Sequence, residues 1–320
     1  MLYKPRKQPQ IITGLKSLLK RLDYQHPVYS VAAEHLRRNE AGFSGEQFFD
    51  KKIRDFKPNI PHALIHDLCL NVNGIFFQIA SLLITPDAIT IFEVKNFAGK
   101  LTIKNDPTQF ILGNTVISNP ITEVERKEIL LNKWLQIRDV SLPIRGMVAL
   151  AFNNELQISG PLSHTVLPAQ EIPILLYRLE IKQHAISTQN IQTLANMFVN
   201  AHITYNPFPL IQHYDFTFND LKTGVFCPSC AQLGMIRARR SWSCLQCNYD
   251  DRNAHLATLA DWFMLMGPNI TNQQFRTFAN IQRSGTSKRL LQRAYLEKIG
   301  HTKNTSYQLQ TFDKLGGLIN

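Results

Sequence analysis

Long apolar runs are missing from this sequence and acidic side chains are scarce in it. No window approaches the roughly 18 consecutive apolar residues that a membrane-crossing helix needs, which excludes a span of that kind. No uninterrupted apolar stretch follows the basic opening of Lys4, Arg6, Lys7, Lys16, Lys20 and Arg21, so export is not expected and the expected setting is the cytoplasm. Five cysteines among 320 residues are too few for a scaffold built on disulfides. Internal repeats and low-complexity tracts are absent as well, which removes solenoids and disordered tails from consideration. Asp and Glu number 24 against 35 Lys and Arg, a net charge of +11 with a pI near 9.5. That excess points to a polyanionic partner, because clustered cations gain free energy by releasing counterions from phosphates. Charge alone does not choose among DNA, RNA and an anionic membrane.

What is present is enough for a real core: 44% of residues are apolar and 10% aromatic, sufficient for two or three domains. Residues 1–41 read as a basic N-terminal helical segment, with Ile12, Leu15, Leu18 and Leu19 on one face and lysines on the other. Residues 42–208 mix two periods. Strands are expected near 64–72, 75–84, 88–95 and 144–152, and helices from Gly45, near 121–138 and near 188–200. This is an α/β (α+β) core. Asn206-Pro-Phe-Pro209 breaks helix and central strand alike and serves as a linker. Beyond it lie a cysteine-bearing segment at 224–250 and a basic helical module at 256–320.

Cys227-Pro-Ser-Cys230 and Cys244-Leu-Gln-Cys247 are two CxxC knuckles with 13 residues between them. That spacing lets four thiolates close a tetrahedron around one zinc ion, and with four protein ligands the ion is structural. Between the knuckles, Met235 to Trp242 reads as a short hairpin whose Arg237 and Arg239 share a face and are available to phosphates or simply to water. The fifth cysteine, Cys69, falls in an apolar strand as an inert thiol.

Glu46 lies at helical spacing with Phe49, Ile53 and Phe56, behind a candidate N-cap at Ser44 with Gln47 completing a capping box. An acid on a buried face is hard to explain by solvation, although favouring the helix dipole is an alternative. Further on, Gly74–Ile84, the loop Thr85-Pro-Asp-Ala88 and Ile89–Lys95 read as an antiparallel hairpin. A four-residue loop pairs Ile84 with Ile89, Leu82 with Ile91, Ala80 with Glu93 and Gln78 with Lys95, and places all eight on one face. A carboxylate, a lysine and an amide then converge. Phosphodiester hydrolysis uses such a set: carboxylates to hold Mg²⁺ or Mn²⁺, a metal-bound water, and a lysine to orient it. Taken alone, Glu93 and Lys95 also fit an ordinary ion pair.

Together these motifs resemble the nuclease-related domain (NERD) proteins, a branch of the PD-(D/E)xK nuclease superfamily. The matching stretches are Ala41-Gly-Phe-Ser-Gly-Glu46, His66-Asp-Leu68, Gln78-Ile79, Leu82-Leu-Ile-Thr85, Phe92-Glu-Val-Lys-Asn-Phe-Ala-Gly99 and Asn119-Pro120, in an order that covers roughly residues 37–200. The resemblance implies a restriction-endonuclease-like core, often followed by a zinc ribbon. It implies catalytic or metal-binding places for Glu46, Glu93 and Lys95, with Gln78 beside them, and DNA as the substrate. Where such proteins read Gln-Ile-Asp, this chain reads Gln78-Ile79-Ala80, so one expected metal-ligating aspartate is missing. Loss of one acid from so small a set severely weakens Mg²⁺ binding, and the chain is expected to cleave poorly or not at all. A variant inactivated to trap a complex and a natural pseudoenzyme that only binds both account for Ala80. The otherwise complete site favours the first.

The tail carries two short helical patterns, from Thr271 and from Ser287, joined by a turn around Ser284-Gly285, and a possible β wing from Ile299 to Leu309. Such an order suggests a winged helix-turn-helix module. Seven Lys or Arg against Glu297 alone stand between Arg276 and Asn304, and Lys288, Arg289 and Arg293 are candidate DNA contacts. A solvated charged face gives the same count. RNA in place of DNA is left open, since no residue here reads or rejects a 2′-hydroxyl.

Overall fold

The computed structural model describes residues 1–105, 107–152, 154–178, 186–301 and 305–310. In chain order the elements begin with β1 (Leu2–Lys4), α1 (Gln10–Arg21), α2 (Pro27–Ile53), β2 (Ala63–Val72), β3 (Ile75–Ile84) and β4 (Ile89–Lys95). Then come β5 (Lys100–Lys104), β6 (Gln109–Leu112), β7 (Thr115–Ile117), α3 (Pro120–Gln136), β8 (Ile144–Leu150), β9 (Glu155–Ser159), β10 (Thr165–Pro168), α4 (Ile172–Arg178) and α5 (Thr188–Asn200). The rest is β11 (Ile236–Ala238), β12 (Ser241–Ser243), β13 (Asp250–Asp251), α6 (His255–Leu265), β14 (Asn269–Thr271), α7 (Asn272–Ala279), α8 (Ser284–Arg293), β15 (Glu297–Ile299) and β16 (Ser306–Gln308). No described helix is long and apolar enough to cross a membrane.

Two compact units result, one of Met1–Gln8 with Glu40–Tyr205 and one of Pro9–Asn39 with Asn206–Asn320. The basic N-terminal segment is therefore not one body: β1 joins the first unit and α1 the second. The chain passes to the second unit at Asn206, the start of the Pro-rich linker.

In the first unit a six-stranded mixed sheet runs β1-β2-β3-β4-β8-β10, and a smaller sheet runs β7-β6-β5-β9. The larger sheet is covered on both faces. Leu82, Ile84, Ile89 and Ile91 pack with Leu130, Trp134 and Phe198 of α3 and α5, while Leu83, Phe92, Met147 and Ala149 pack with Phe49 and Ile53 of α2. Strands buried on both faces explain the nearly unbroken apolar runs of β3 and β4. Helix α3 starts as its sequence demands, with the Asn119 side chain accepting a hydrogen bond from the Ile121 amide and Pro120 at the first position.

Two expectations for this unit are corrected. Ser44 is not an N-cap, because α2 is continuous from Pro27 to Ile53 and carries Ser44 in its interior. No proline interrupts residues 28–53, and the cost of about 1 kcal/mol for a helical glycine is accepted at exposed Gly42 and at Gly45, which packs closely on Asn96 and Ala151. Nor do Gln78, Ala80, Glu93 and Lys95 continue the hairpin ladder. The β3–β4 register holds for Ile84↔Ile89 and Leu82↔Ile91 but its last pair is Ser81↔Phe92. Below that pair β3 stays with β2 as far as Val72↔Ile75, and β4 stays with β8 as far as Lys95↔Leu150. The sheet therefore forks between β3 and β4.

Facing also changes at the fork. Phe77 and Ile79 pack into the same cluster as Leu82 and Ile84, and on β2 so do Ile65 and Leu68. Strict alternation forbids both pairings, so each strand switches its facing between those residues. Asp67, with a left-handed φ of 52°, marks the switch on β2. Gln78 thus does not share a face with Ile84, contrary to the simple hairpin.

In the second unit α1 packs on α6, with the Arg21 side chain wholly buried against Asp261 at 2.7 Å. The ribbon is a three-stranded sheet β11-β12-β13, and a second sheet ordered β14-β16-β15 takes β14 from between α6 and α7 and β15 and β16 from after α8. One strand before the helix pair and two after it close into one sheet. The turn lies at Asn280–Arg283, where Asn280 is left-handed, and Ser284 and Gly285 open α8 instead of forming the turn. Lys303 and Asn304 of the wing, and residues 311–320, fall outside the described residues.

Candidate functional site

The fork between β3 and β4 is where the acids gather. Glu93 and Lys95 project from β4 towards α3, and Glu46 projects from α2. Gly45 sets their spacing: a Cβ there would come within 2.6 Å of the Asn96 Cβ and 3.2 Å of the Ala151 Cβ. Asn96, the residue after Lys95, donates from its side-chain amide to the Ala41 carbonyl at 2.7 Å. Helix α2 is thereby held against the end of β4, one residue from both Glu46 and Lys95.

Glu93 is 6% exposed and receives a lysine on each oxygen, Lys95 on Oε1 at 3.0 Å and Lys127 of α3 on Oε2. Burial pushes its carboxyl upward, but the charges of Lys127 and Lys95 together hold it below the ordinary value. Lys95 also reaches Glu123 at 2.6 Å. Burial lowers its ammonium pKa, yet Glu93 and Glu123 outweigh this and raise it. It is a firmly charged lysine.

Glu46 differs. Burial raises it to about 7, Arg6 opposes the shift, and the negative charges of Asp67, Asp50 and Glu93 add to it. That Glu93 contributes places both carboxylates within one electrostatic neighbourhood. Ala80, 6% exposed, stands at the mouth of the fork, and its carbonyl accepts from Arg6 Nη2 at 2.7 Å. Gln78 is not paired with Lys95 in the ladder. Its side-chain amide donates to Asp67 Oδ1 at 2.6 Å, and Asp67 is also paired with Lys4 at 3.5 Å.

Several members of this site were missed in the sequence: Arg6, Asp50, His66, Glu123 and Lys127. Asp50 carried a signal, since it follows Glu46 by four residues on one helix face. So did Glu123 and Lys127, again four apart. Arg6 carried none. Its Nε and Nη2 pair with Asp50 at 2.9 and 3.0 Å, and Nη1 lies 3.0 Å from Glu46. His66, lowered to about 4 by burial, has Nδ1 2.8 Å from the Ser81 hydroxyl and 3.2 Å from Asp50.

In the second unit the four cysteines converge. Their sulfurs lie within 4.8 Å of one another, with Cys227 to Cys247 at 3.7 Å and Cys230 to Cys244 at 3.6 Å. Four sulfurs at about 2.3 Å from one zinc ion would lie about 3.8 Å apart, so the cluster has the dimensions to hold such an ion. Cys69 is half-buried and free.

Arg237 stands on β11 opposite Trp242, and its guanidinium lies 5.4 Å from the centre of that ring. Arg239 does not share its strand face, because it turns the hairpin with a φ of 49°. Burial lowers the Arg237 guanidinium, and the charges of Arg289 and Arg293 lower it further. The charges of Arg289 and Arg293 on α8 are thus felt at Arg237 of the ribbon. On α8 the side chains of Ser287, Leu290 and Leu291 face the core, whereas Lys288, Arg289 and Arg293 are exposed. Among the described residues none of Arg237, Arg239, Lys288, Arg289 and Arg293 forms an ion pair with an acid.

No curated protein and no solved structure matches this chain. Residues 41–151, which contain both arms of the fork with Glu46, Ala80, Glu93, Lys95 and Lys127, match the family model described as the nuclease-related domain (NERD).

Proposed function

We propose that the chain is a DNA-directed phosphodiester hydrolase of the nuclease-related type whose metal centre is incomplete because alanine occupies position 80. The observation that carries this reading is the fork, where Arg6 links Glu46 of α2 to the Ala80 carbonyl, and Glu93 of β4, within electrostatic reach of Glu46, pairs with Lys95. As they stand, these residues do not fit Mg²⁺ or Mn²⁺. Position 80 offers no side-chain oxygen, Glu46 is paired with Arg6, and both oxygens of Glu93 are taken by lysines. Mg²⁺ requires near-octahedral oxygen ligation and gives up its water reluctantly, so no hydrolytic step follows for the alanine form. At the four cysteines the ion is zinc, held structurally because four thiolates leave no open position.

The second reading, a DNA-binding protein on an inactive nuclease fold, draws on the unpaired cations of α8 and the ribbon. These give affinity for phosphates whatever stands at position 80. Ala80→Asp separates the two. Both forms are incubated with plasmid DNA and Mg²⁺, Mn²⁺ or chelator. Cleavage by the aspartate form alone, stopped by chelator, is the expected result. If neither form cuts while both retain DNA, the hydrolase reading falls and the binding reading replaces it. Competition between duplex DNA and RNA probes decides the nucleic acid.

A further inference from the structure

The N-terminal residues reach the candidate active site from outside the family-matched segment. Strand β1 adds to the sheet edge parallel to β2, pairing Leu2 with Leu64 and Lys4 with Ile65, and the chain then delivers Arg6 to the fork. The Arg6 side chain is 3% exposed. Its Nε and Nη2 are engaged by Asp50, and Nη2 also donates to the Ala80 carbonyl at 2.7 Å and the Ser81 hydroxyl at 3.1 Å. That leaves Nη1, which is buried without an aligned hydrogen bond and meets Glu46 Oε2 at 3.0 Å as a charge contact.

A guanidinium presents its donors as a rigid planar fork suited to carboxylates, and this one spans Asp50, Glu46 and the main chain of residue 80. Beyond Glu46, Glu93 is held by Lys95 and Lys127. Three cations from three separate parts of the chain thus neutralise the two acids that a divalent ion would need. Among the described residues the only cluster of three or more metal-ligating side chains is the cysteine set.

We propose that the fork is closed by the protein's own cations, and that Arg6 holds the charge-balancing place beside Glu46 and the main chain of residue 80, so that the fork binds no divalent ion. Arg6 is a positioning residue. It ties α2, through Glu46 and Asp50, to β3 at the point where the sheet splits. An ion entering beside Glu46 has to displace this contact or be supplied with a further acid. The inference concerns the same fork as the nuclease reading, but it is judged by metal binding and local stability and not by cleavage.

The test uses the full zinc-loaded chain and titrates Mn²⁺, followed by electron paramagnetic resonance. Four proteins are compared: the chain itself, Arg6→Gln, Ala80→Asp and the double variant. No Mn²⁺ binding is expected for the chain. Binding is expected for Ala80→Asp, and it should be about tenfold or more tighter in the double variant, on the scale typical of groups next to metal ligands.

Hydrogen exchange supplies the second readout. Arg6→Gln should speed exchange in peptides covering residues 41–53 and 75–84 of a still-folded chain, and Arg6→Lys should restore part of the protection. Stoichiometric Mn²⁺ binding by the unaltered chain that Glu93→Gln abolishes would overturn the proposal. So would equal Mn²⁺ affinity in Ala80→Asp and the double variant, or exchange indifferent to Arg6→Gln. An Ala80→Asp protein that binds Mn²⁺ as expected yet cuts nothing refutes the nuclease reading and leaves this one standing.

Discussion

Glu93 shows how much a single side chain in this fork depends on remote parts of the chain. Its carboxylate is almost wholly buried and stays ionised because two ammonium groups face it, Lys95 from its own strand and Lys127 from α3. Removing one partner of a buried pair leaves charge with less compensation, and the penalty is the desolvation of what remains. Lys127→Met should therefore destabilise the first unit by about 1–3 kcal/mol, with Lys95 limiting the loss. Urea unfolding followed through Trp134, the tryptophan stacked on Phe198 in that unit, reads the change; unaltered stability would mean that Lys127 is a bystander. At this scale the sequence was partly transparent. Strand alternation put Glu93 and Lys95 on one side, and helical spacing put Glu46 inward with Phe49. Arg6 and Lys127 were opaque, because nothing local to them records which distant acid they will meet.

Elements set the distances between those side chains, and two glycines show how. Gly45 lets α2 lie against Asn96, and Gly146 of β8 lets α3 approach, for a Cβ at 146 would fall 2.0 Å from Val124 Cγ1 and 2.7 Å from Glu128 Oε1. Helix α3 carries both Glu123 and Lys127, so its seating on β8 governs how they meet β4. Gly146→Ala should destabilise the protein by about 1–3 kcal/mol, the usual range for overpacking. The same change should loosen Lys127 from Glu93, visible as faster hydrogen exchange over residues 89–95. A neutral outcome would show that α3 can slide without cost. The elements themselves were largely legible: β2, β3, β4, α3, β8 and α5 lie within two residues of their expected limits. The fork was not. A period-2 pattern continues through Ala80 to Gln78 with no mark of a strand parting from its neighbour, and the switch in facing depends on the left-handed backbone at Asp67. The interior of α2 was misread for a related reason, since Ser44 and Gln47 satisfy a capping pattern that tertiary contacts make irrelevant.

Across the whole molecule, two units with separate cores make separate predictions testable in one chain, and Trp134 and Trp242 report on different units. In the second unit Trp242 Nε1 donates to His255 Nδ1 at 3.2 Å, and burial, reinforced by Arg237, lowers His255 from 6.5 to about 4. A folded-state pKa below the unfolded one means that the native protein binds fewer protons. Stability from this group is complete above about pH 6.5 and is lost as the pH falls towards 4, by about 3 kcal/mol in total. Trp242 fluorescence during denaturation should show that slope, and His255→Gln should flatten it.

The net charge of +11 is also a property of the whole chain, but its effect is local. Arg237, Arg289 and Arg293 repel one another with no acid paired to them, an arrangement that a phosphate backbone relieves by displacing counterions. If α8 lies along such a backbone, each arginine that meets a phosphate adds about one unit to the slope of log affinity against log salt. Arg289→Gln with Arg293→Gln should then lower that slope by about two and weaken binding alike on unrelated duplex sequences. A change confined to particular sequences would mean that the two arginines read base edges. No change in slope would move the nucleic acid away from α8, leaving these guanidiniums as a solvated face.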